Sequence, residues 1–536
     1  MDGVVRVTSK QPLLLAGSSA LRVIASPYII TGLFALVYLL TLTSDYFWDG
    51  ITFASQIEKV ARGERGKELL FHQNHLLYNA FGYFSYCLAR TVNSGIRALT
   101  VLQVANVFIA SAAVSVFFRI AERVTRSRYT AMVCASALAF SATWWKLATD
   151  ADAYMLSVLL VLICLENLLS QRPRWYAAGL ALAGAMLVHE LASLFSIAAV
   201  VAVFSIRKIE RKRKFAVAMC ALAWSVTVAT YYICAELLHN LTHPLDVIRW
   251  ATSNPSLIAP SSNPIPGMRL TLRASFDLIV GHSFSLFRQQ GRIGSVIAAG
   301  VIISASVFIV RLMRSISPAQ LIESLHTAAP EIADSWKQGI PILIAWVSLY
   351  LVFLCFFEPQ DPYLRLFYAP ALALGLGLML SNYKFLTAKQ QEVQSSNLRF
   401  SRTAMLAVAT LALFNFAFFI QPHMRAESNP LVAAARNANK VWDEQSVILY
   451  ANHTEADTTF EYFNQETHWQ RESSASIETL DSKIETAYKE GRNVWLNKGA
   501  AGSIDANWLA KYAQGKQIRV DCEYAPALYI EVLPKR

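Results

Sequence analysis

Charge is scarce in this sequence. Only 16% of its 536 residues are Asp, Glu, Lys or Arg, against about a quarter in a typical soluble chain, which excludes an ordinary soluble enzyme. Cysteine is sparse and odd in number. Six of the seven (Cys87, Cys134, Cys164, Cys220, Cys234 and Cys355) lie in or beside apolar runs, where the thiol serves as a small core hydrophobe. Cys522 has no evident partner, so no disulfide framework is expected. The chain shows no internal repeat and no low-complexity tract. The repeated halves common in transporters are therefore missing.

What the chain has instead is apolar length. It is 54% hydrophobic with a mean hydropathy of +0.36. The apolar residues are gathered at 28–44, 98–118, 129–147, 153–169, 175–188, 191–206, 215–238, 293–310, 339–357, 364–381 and 403–421. Runs of this kind approach the roughly 20 residues that cross hydrocarbon as a helix. The expected class is an α-helical polytopic membrane protein.

A net charge of +11 does not call for a nucleic-acid partner here. It is explained by basic loops facing the cytoplasm and anionic lipid. The aromatic segment "HLLYNAFGYFSYCLA" (75–89) decides which loops those are. If it lies in the outer interface without crossing, "RIAERVTRSR" (119–128), "QRPR" (171–174), "RKIERKRK" (207–214), Arg311, Arg314, Arg399 and Arg402 all fall inside. If it crosses, the densest basic loop falls outside. The expectation is about eleven spans with a cytoplasmic N-terminus. Before Arg22 there is only a broken apolar stretch and no clear cleavage site, which reads as an uncleaved signal-anchor.

With that topology Asp45, Asp49, Asp150, Asp152, His189, Glu190, His243, Glu358, Asp361 and Arg365 all sit at the outer face. Residues 1–421 form the membrane part, with an outer loop at 45–97 carrying interfacial helices. Residues 422–536 turn polar. Strands are expected at 446–450, 493–497 and 527–533, with amphipathic helices at 476–490 and 503–513. This predicts a small α/β domain on the outer, periplasmic surface. It contains no Gly-rich phosphate loop.

Each polar cluster has a plain structural reading and a chemical one. Asp45 fits a solvated loop. Asp49 opens the amphipathic stretch "ITFASQIEKVARG", and a carboxylate fixed at a helix N-terminus suits a general base. His72 and His75, three residues apart, lack the further ligands of a zinc site and fit interfacial hydrogen-bonding or a phosphate contact. In "WWKLATDADAYMLS", one acid caps the next helix, Asp152 points back towards the site and Asp150 stays solvated. His189 and Glu190 join two runs too short to span comfortably, so both are drawn below headgroup level, either paired or functional. Arg365 follows Asp361 by one turn. It either snorkels or clamps a phosphate.

In order along residues 25–385, these motifs resemble the GT-C superfamily of membrane glycosyltransferases. The pattern is similar to the bacterial family related to protein O-mannosyltransferases and lipid A aminoarabinose transferases. The likeness rests on Asp49 after the first span and "HQNHLLYNAFGYF" in place of a His-Pro-Pro-x-Tyr segment. It continues through Trp145, Asp152, Tyr154, His189 and "YLRLFYAP". Asp49-Gly50 stands where many members carry Asp-Glu, and the prolines are absent, so Asp45 remains an alternative base.

The resemblance implies inverting transfer of sugar from a polyprenyl-phosphate carrier to a hydroxyl of a protein, lipid or polysaccharide. Asp49 would act as base, Arg365 with His75 would stabilise the departing phosphate, and Asp152 and His189 would orient substrate. Asp45, His72, Tyr78, Tyr154, Glu190, Asp361 and Tyr368 would complete the substrate contacts. No cofactor is required by the motifs, and a divalent cation is left open. A lipid-linked-sugar flippase, another transporter or a non-catalytic relative are the competing readings.

Overall fold

The computed structural model describes residues 26–206, 209–253, 264–281, 330–388, 393–450, 455–465, 467–471, 477–497, 511–520 and 527–534. The expected signal-anchor, the run at 293–310, Arg311, Arg314, Cys522 and most of the expected helix at 503–513 lie outside them.

All ten apolar runs within the described residues are helical. Among the described residues four helices are long and apolar enough to cross a membrane: Ala98–Thr125, Lys212–His239, Trp336–Phe356 and Thr403–His423. Five apolar helices are shorter: Pro27–Leu40, Tyr154–Leu168, Trp175–Val188, Glu190–Ser205 and Ala369–Ser381. The run at 129–147 is not one straight rod. It breaks into Arg128–Ala139 and Ala142–Ala148, bent by 71°. A bend strands carbonyls that a continuous helix would satisfy. Here Tyr38 Oη donates to Ala139 O at 3.0 Å, and Asn415 Nδ2 to Phe140 O at 2.7 Å. Two other helices thus hold the break open, and it turns Lys146 and the 149–153 connection towards the loop at 45–97.

That loop carries two short helices. Trp48–Ala61 buries Ile51, Phe53, Ala54 and Ile57, and Asp49 lies in its first turn as the sequence led one to expect. Tyr78–Val92 has an opposite face, with Phe84, Leu88 and Val92 exposed. Such an amphipathic helix suits a membrane surface.

After residue 429 the chain builds an α/β unit around a five-stranded sheet in the order β2-β1-β3-β5-β4. The strands are β1 Ser446–Tyr450, β2 His468–Arg471, β3 Asn493–Asn497, β4 Ala513–Val520 and β5 Ala527–Leu533. β1 pairs in parallel with β2 and β3, and β5 runs antiparallel to β3 and β4. The three strands read from sequence are β1, β3 and β5. Ile477–Lys489 matches the expected helix, whereas Pro430–Ala438 and Glu455–Phe463 were not expected. Position 513, read as the end of a helix, instead opens β4.

Candidate active site

Asp49, His72, His75, Tyr154, His189, Glu190 and Asp361 line one polar cavity of about 360 Å3, together with Glu358, Thr52, Gln56 and several aromatic residues. These side chains come from the loop at 45–97, from two helix ends and from the 357–364 turn, a convergence that only the folded chain produces.

Backbone contacts fix the position of Asp49. Asp150 Oδ2 accepts from Phe47 N at 2.9 Å, just ahead of the Asp49 helix, and Oδ1 accepts from Ala151 N. Lys146 Nζ reaches Asp45 O at 2.6 Å and Asp150 Oδ2 at 2.5 Å. Asp150 is therefore fully buried, correcting the expected solvated position. Its partner lies four residues upstream across one helical turn. The 149–153 connection is held from below: Asn106 Nδ2 donates to Asp150 O and Asp152 O, and Gln103 Nε2 to Thr43 O and Thr149 O. Gly50 also has a structural reason. A Cβ there would stand 2.2 Å from Ala151 O, so the Glu found in related motifs does not fit against this backbone.

Asp45 is placed differently. Its Oδ1 accepts from Asn429 Nδ2 at 2.8 Å and its Oδ2 lies 3.2 Å from His423 Nε2. It does not line the cavity, so geometry separates the two candidate bases.

The three histidines form a row, with ring centroids 6.3 Å apart for His72–His75 and 4.7 Å for His75–His189. Burial lowers each imidazole, His75 to about 3, so all three are neutral near pH 7. Their partners assign the tautomers. His189 Nδ1 accepts from Leu191 N and His72 Nδ1 from Asn74 N, leaving each with an Nε2–H donor. His75 Nδ1 lies 3.4 Å from Val188 O and donates to it, leaving Nε2 as an acceptor. Among the described residues no group of three His, Cys, Asp or Glu side chains is arranged to hold a metal ion.

Asp152 is buried and does not itself line the cavity. Its Oδ1 accepts from Tyr154 N at 3.2 Å, while Oδ2 has no hydrogen-bond partner among the described residues. Burial, with Asp49 and Asp150 nearby, pushes this carboxyl well above the usual range. Tyr78 is also buried, edge-on to Phe53. Tyr368 Oη lies 2.7 Å from Ser275 Oγ.

Arg365 departs from expectation. It is fully buried and does not line the cavity. Nη1 donates to Glu358 O and Asp361 O, and Nη2 to Pro359 O and Thr271 Oγ1. A guanidinium engaged by carbonyls in this way holds a loop and does not clamp a free phosphate. The loop needs holding because Glu358 adopts a left-handed φ of 43°, strained for a residue with a side chain. The result presents Glu358 and Asp361 to the cavity.

Sequence reasoning missed Lys146, Gln103, Asn106 and Phe357. Only Lys146 left a signal, its four-residue spacing to Asp150. Phe357 matters because it also lines a wholly different space, an apolar groove of about 770 Å3 between Leu194, Ile197 and the Ile344–Phe356 face.

No protein-family model matches the sequence, and no curated protein matches it either. Solved structures match by fold. ArnT from Cupriavidus metallidurans in the apo state gives a TM-score of 0.58 at 12% identity, covering 97% of this chain and 98% of that one. The same protein bound to undecaprenyl phosphate gives 0.55 at 11% identity, covering 94% and 97%. The Archaeoglobus fulgidus oligosaccharyltransferase in complex with Zn and sulfate gives 0.46 at 12% identity, covering 94% and 73%. The chain is an integral membrane protein with the GT-C fold, as its motifs implied.

Proposed function

We propose that this protein is an inverting glycosyltransferase that moves a sugar from a polyprenyl-phosphate carrier to an acceptor hydroxyl. The observation that carries the reading is Phe357, whose side chain lines both the polar cavity holding Asp49 and an apolar groove. A lipid-linked sugar has the same two-part character. Undecaprenyl phosphate bound to ArnT, a protein of the same fold, supports a polyprenyl carrier.

In this reading Asp49 takes the proton of the acceptor hydroxyl. The hydroxyl oxygen forms the new bond to the anomeric carbon, and the carbon–oxygen bond to the phosphate breaks on the opposite face. The bonding pair leaves with the phosphate, giving polyprenyl phosphate. The Nε2–H groups of His72 and His189 are two cavity donors that can face that developing charge, with His75 Nε2 accepting from sugar or acceptor. Tyr154, Glu190 and Asp361 contact the sugar. Arg365 acts from behind by holding the 358–361 turn.

The topology that goes with this has about eleven spans, a cytoplasmic N-terminus and residues 422–536 on the periplasmic side of a bacterial inner membrane. Residues 1–421 are the catalytic membrane domain, and Tyr78–Val92 lies in the interface. The acceptor is a protein, lipid or polysaccharide hydroxyl.

Purified protein given a panel of polyprenyl-phosphate sugars tests the reading through release of polyprenyl phosphate. Wild type releases it, and Asp49→Asn lowers turnover by at least ~10²-fold while expressing normally. An active Asp49→Asn protein removes the base. No release from any donor, with lipid still bound, favours a transporter or a non-catalytic relative.

A further inference from the structure

The chain around Asp49 is gripped on both sides of that residue by the C-terminal α/β unit, just before its helix and again on the helix. Ahead of Asp49, Asn429 Nδ2 donates to Asp45 Oδ1 at 2.8 Å and Arg436 Nη2 to Tyr46 Oη at 3.2 Å. The Arg436 guanidinium also lies 5.1 Å from the Phe463 ring, which stands 6.2 Å from Tyr46.

Behind Asp49, the almost fully buried Glu58 accepts from Gln465 Nε2 at 2.6 Å and Tyr462 Oη at 3.1 Å. It also accepts from Arg97 Nε at 3.0 Å and Ala98 N at 2.8 Å. Lys59 pairs with Glu461 at 2.8 Å. Between the grips, Val432 and Tyr462 share a hydrophobic cluster with Ile51 and Phe53. A dock that served only to tether the unit would need one of these patches. The two patches instead bracket the residue, and a helix from 49 to 58, roughly 13 Å long at 1.5 Å per residue, transmits both constraints as a stiff rod.

We propose that the C-terminal unit is a positioning part of the active site, setting Asp49 by gripping the chain just ahead of its helix at Asp45–Tyr46 and the helix itself at Glu58–Lys59. This rests on the reading of Asp49 as the base. Rate is sensitive to such placement, since an ångström of misalignment costs about a hundredfold.

The test uses the full-length protein in detergent, with hydrogen exchange read by mass spectrometry. The variants are Lys59→Glu, Glu461→Lys, their combination, and Asn429→Ala with Gln465→Ala. Each single charge reversal and the alanine pair should raise exchange over 45–61 by about tenfold or more, with 98–125 unchanged. The combined reversal should restore it. In turnover, kcat should fall about tenfold or more in the loosened variants with donor KM within about twofold, and recover in the combined reversal.

Unchanged exchange over 45–61 in every loosened variant overturns the proposal. So does raised exchange with unchanged kcat. A wild type inactive on every donor counts against the transfer reading alone, and the exchange result still decides whether the grip exists.

Discussion

Lys146 Nζ lies 2.5 Å from Asp150 Oδ2, with both side chains almost completely excluded from solvent. The pair is the keystone beneath Asp49, because the same carboxylate accepts from Phe47 N and the same ammonium from Lys146 donates to Asp45 O. Removing one partner leaves a buried charge uncompensated, which costs about 3–5 kcal/mol. Lys146→Met should therefore destabilise the detergent-solubilised protein strongly, seen as a lowered unfolding midpoint. The Lys146→Met, Asp150→Asn double variant should recover much of the loss while remaining catalytically slow. A Lys146→Met midpoint equal to wild type would show that the pair is not held dry.

Gly50 gives a second expectation. Because a Cβ would meet Ala151 O at 2.2 Å, Gly50→Ala must push the Asp49 helix away from the 149–153 connection. Overpacking of this kind costs about 1–3 kcal/mol. Turnover should fall more than stability, since displacement acts directly on Asp49. Gly50→Glu should be worse still, although it restores the acidic pair of related motifs. Comparing unfolding midpoints and kcat for the three proteins checks this.

The fold was legible wherever burial imposed an apolar pattern. The ten described apolar helical runs and the strands β1, β3 and β5 follow from hydrophobic patterning. β2 and β4 escaped because they are the two edges of the sheet. Edge strands are kept polar to prevent pairing with other chains, and "AQGKQIRV" accordingly carries no alternating apolar face. Asp49 was legible because helix amphipathicity announced its N-terminal position. Asp150 was misjudged because the run at 129–147 reads as one rod. The bend after Ala139 is held by Tyr38 and Asn415, from helices 101 and 275 residues away along the chain, a relation that no local pattern encodes. Arg365 looked free for phosphate because sequence does not show the carbonyls that surround it.

The histidine row predicts acid sensitivity. His75 is lowered to about 3 by burial, whereas an unfolded histidine titrates near ~6.5. Between those values the unfolded chain binds a proton that the folded one refuses, so stability falls as pH falls, by about 1.4 kcal/mol per pH unit for this group. Above ~6.5 its contribution no longer varies. His189 and His72 are lowered in the same direction. Unfolding midpoints measured from about pH 7.5 down to about pH 5 should drop below ~6.5. His75→Gln, which can still donate to Val188 O, should make that slope shallower.

Asp152 carries the opposite dependence. Burial first, then Asp49 and Asp150, raise its carboxyl well above the ordinary value, so the folded protein holds a proton that the unfolded chain releases. Its contribution to stability is lost as pH rises from ~4 towards the raised folded value. Asparagine imitates the neutral acid in shape and in its acceptor towards Tyr154 N. Asp152→Asn should therefore keep turnover within about threefold of wild type and unfold at a higher temperature near neutral pH. Asp152→Ala loses the contact that starts the Tyr154 helix, at about 1 kcal/mol, and leaves a gap beside Asp49. Turnover in that variant should fall about tenfold or more. If Asp152→Asn is instead as inactive as Asp49→Asn, Asp152 works as a carboxylate, and the cavity must hold a positive group facing it.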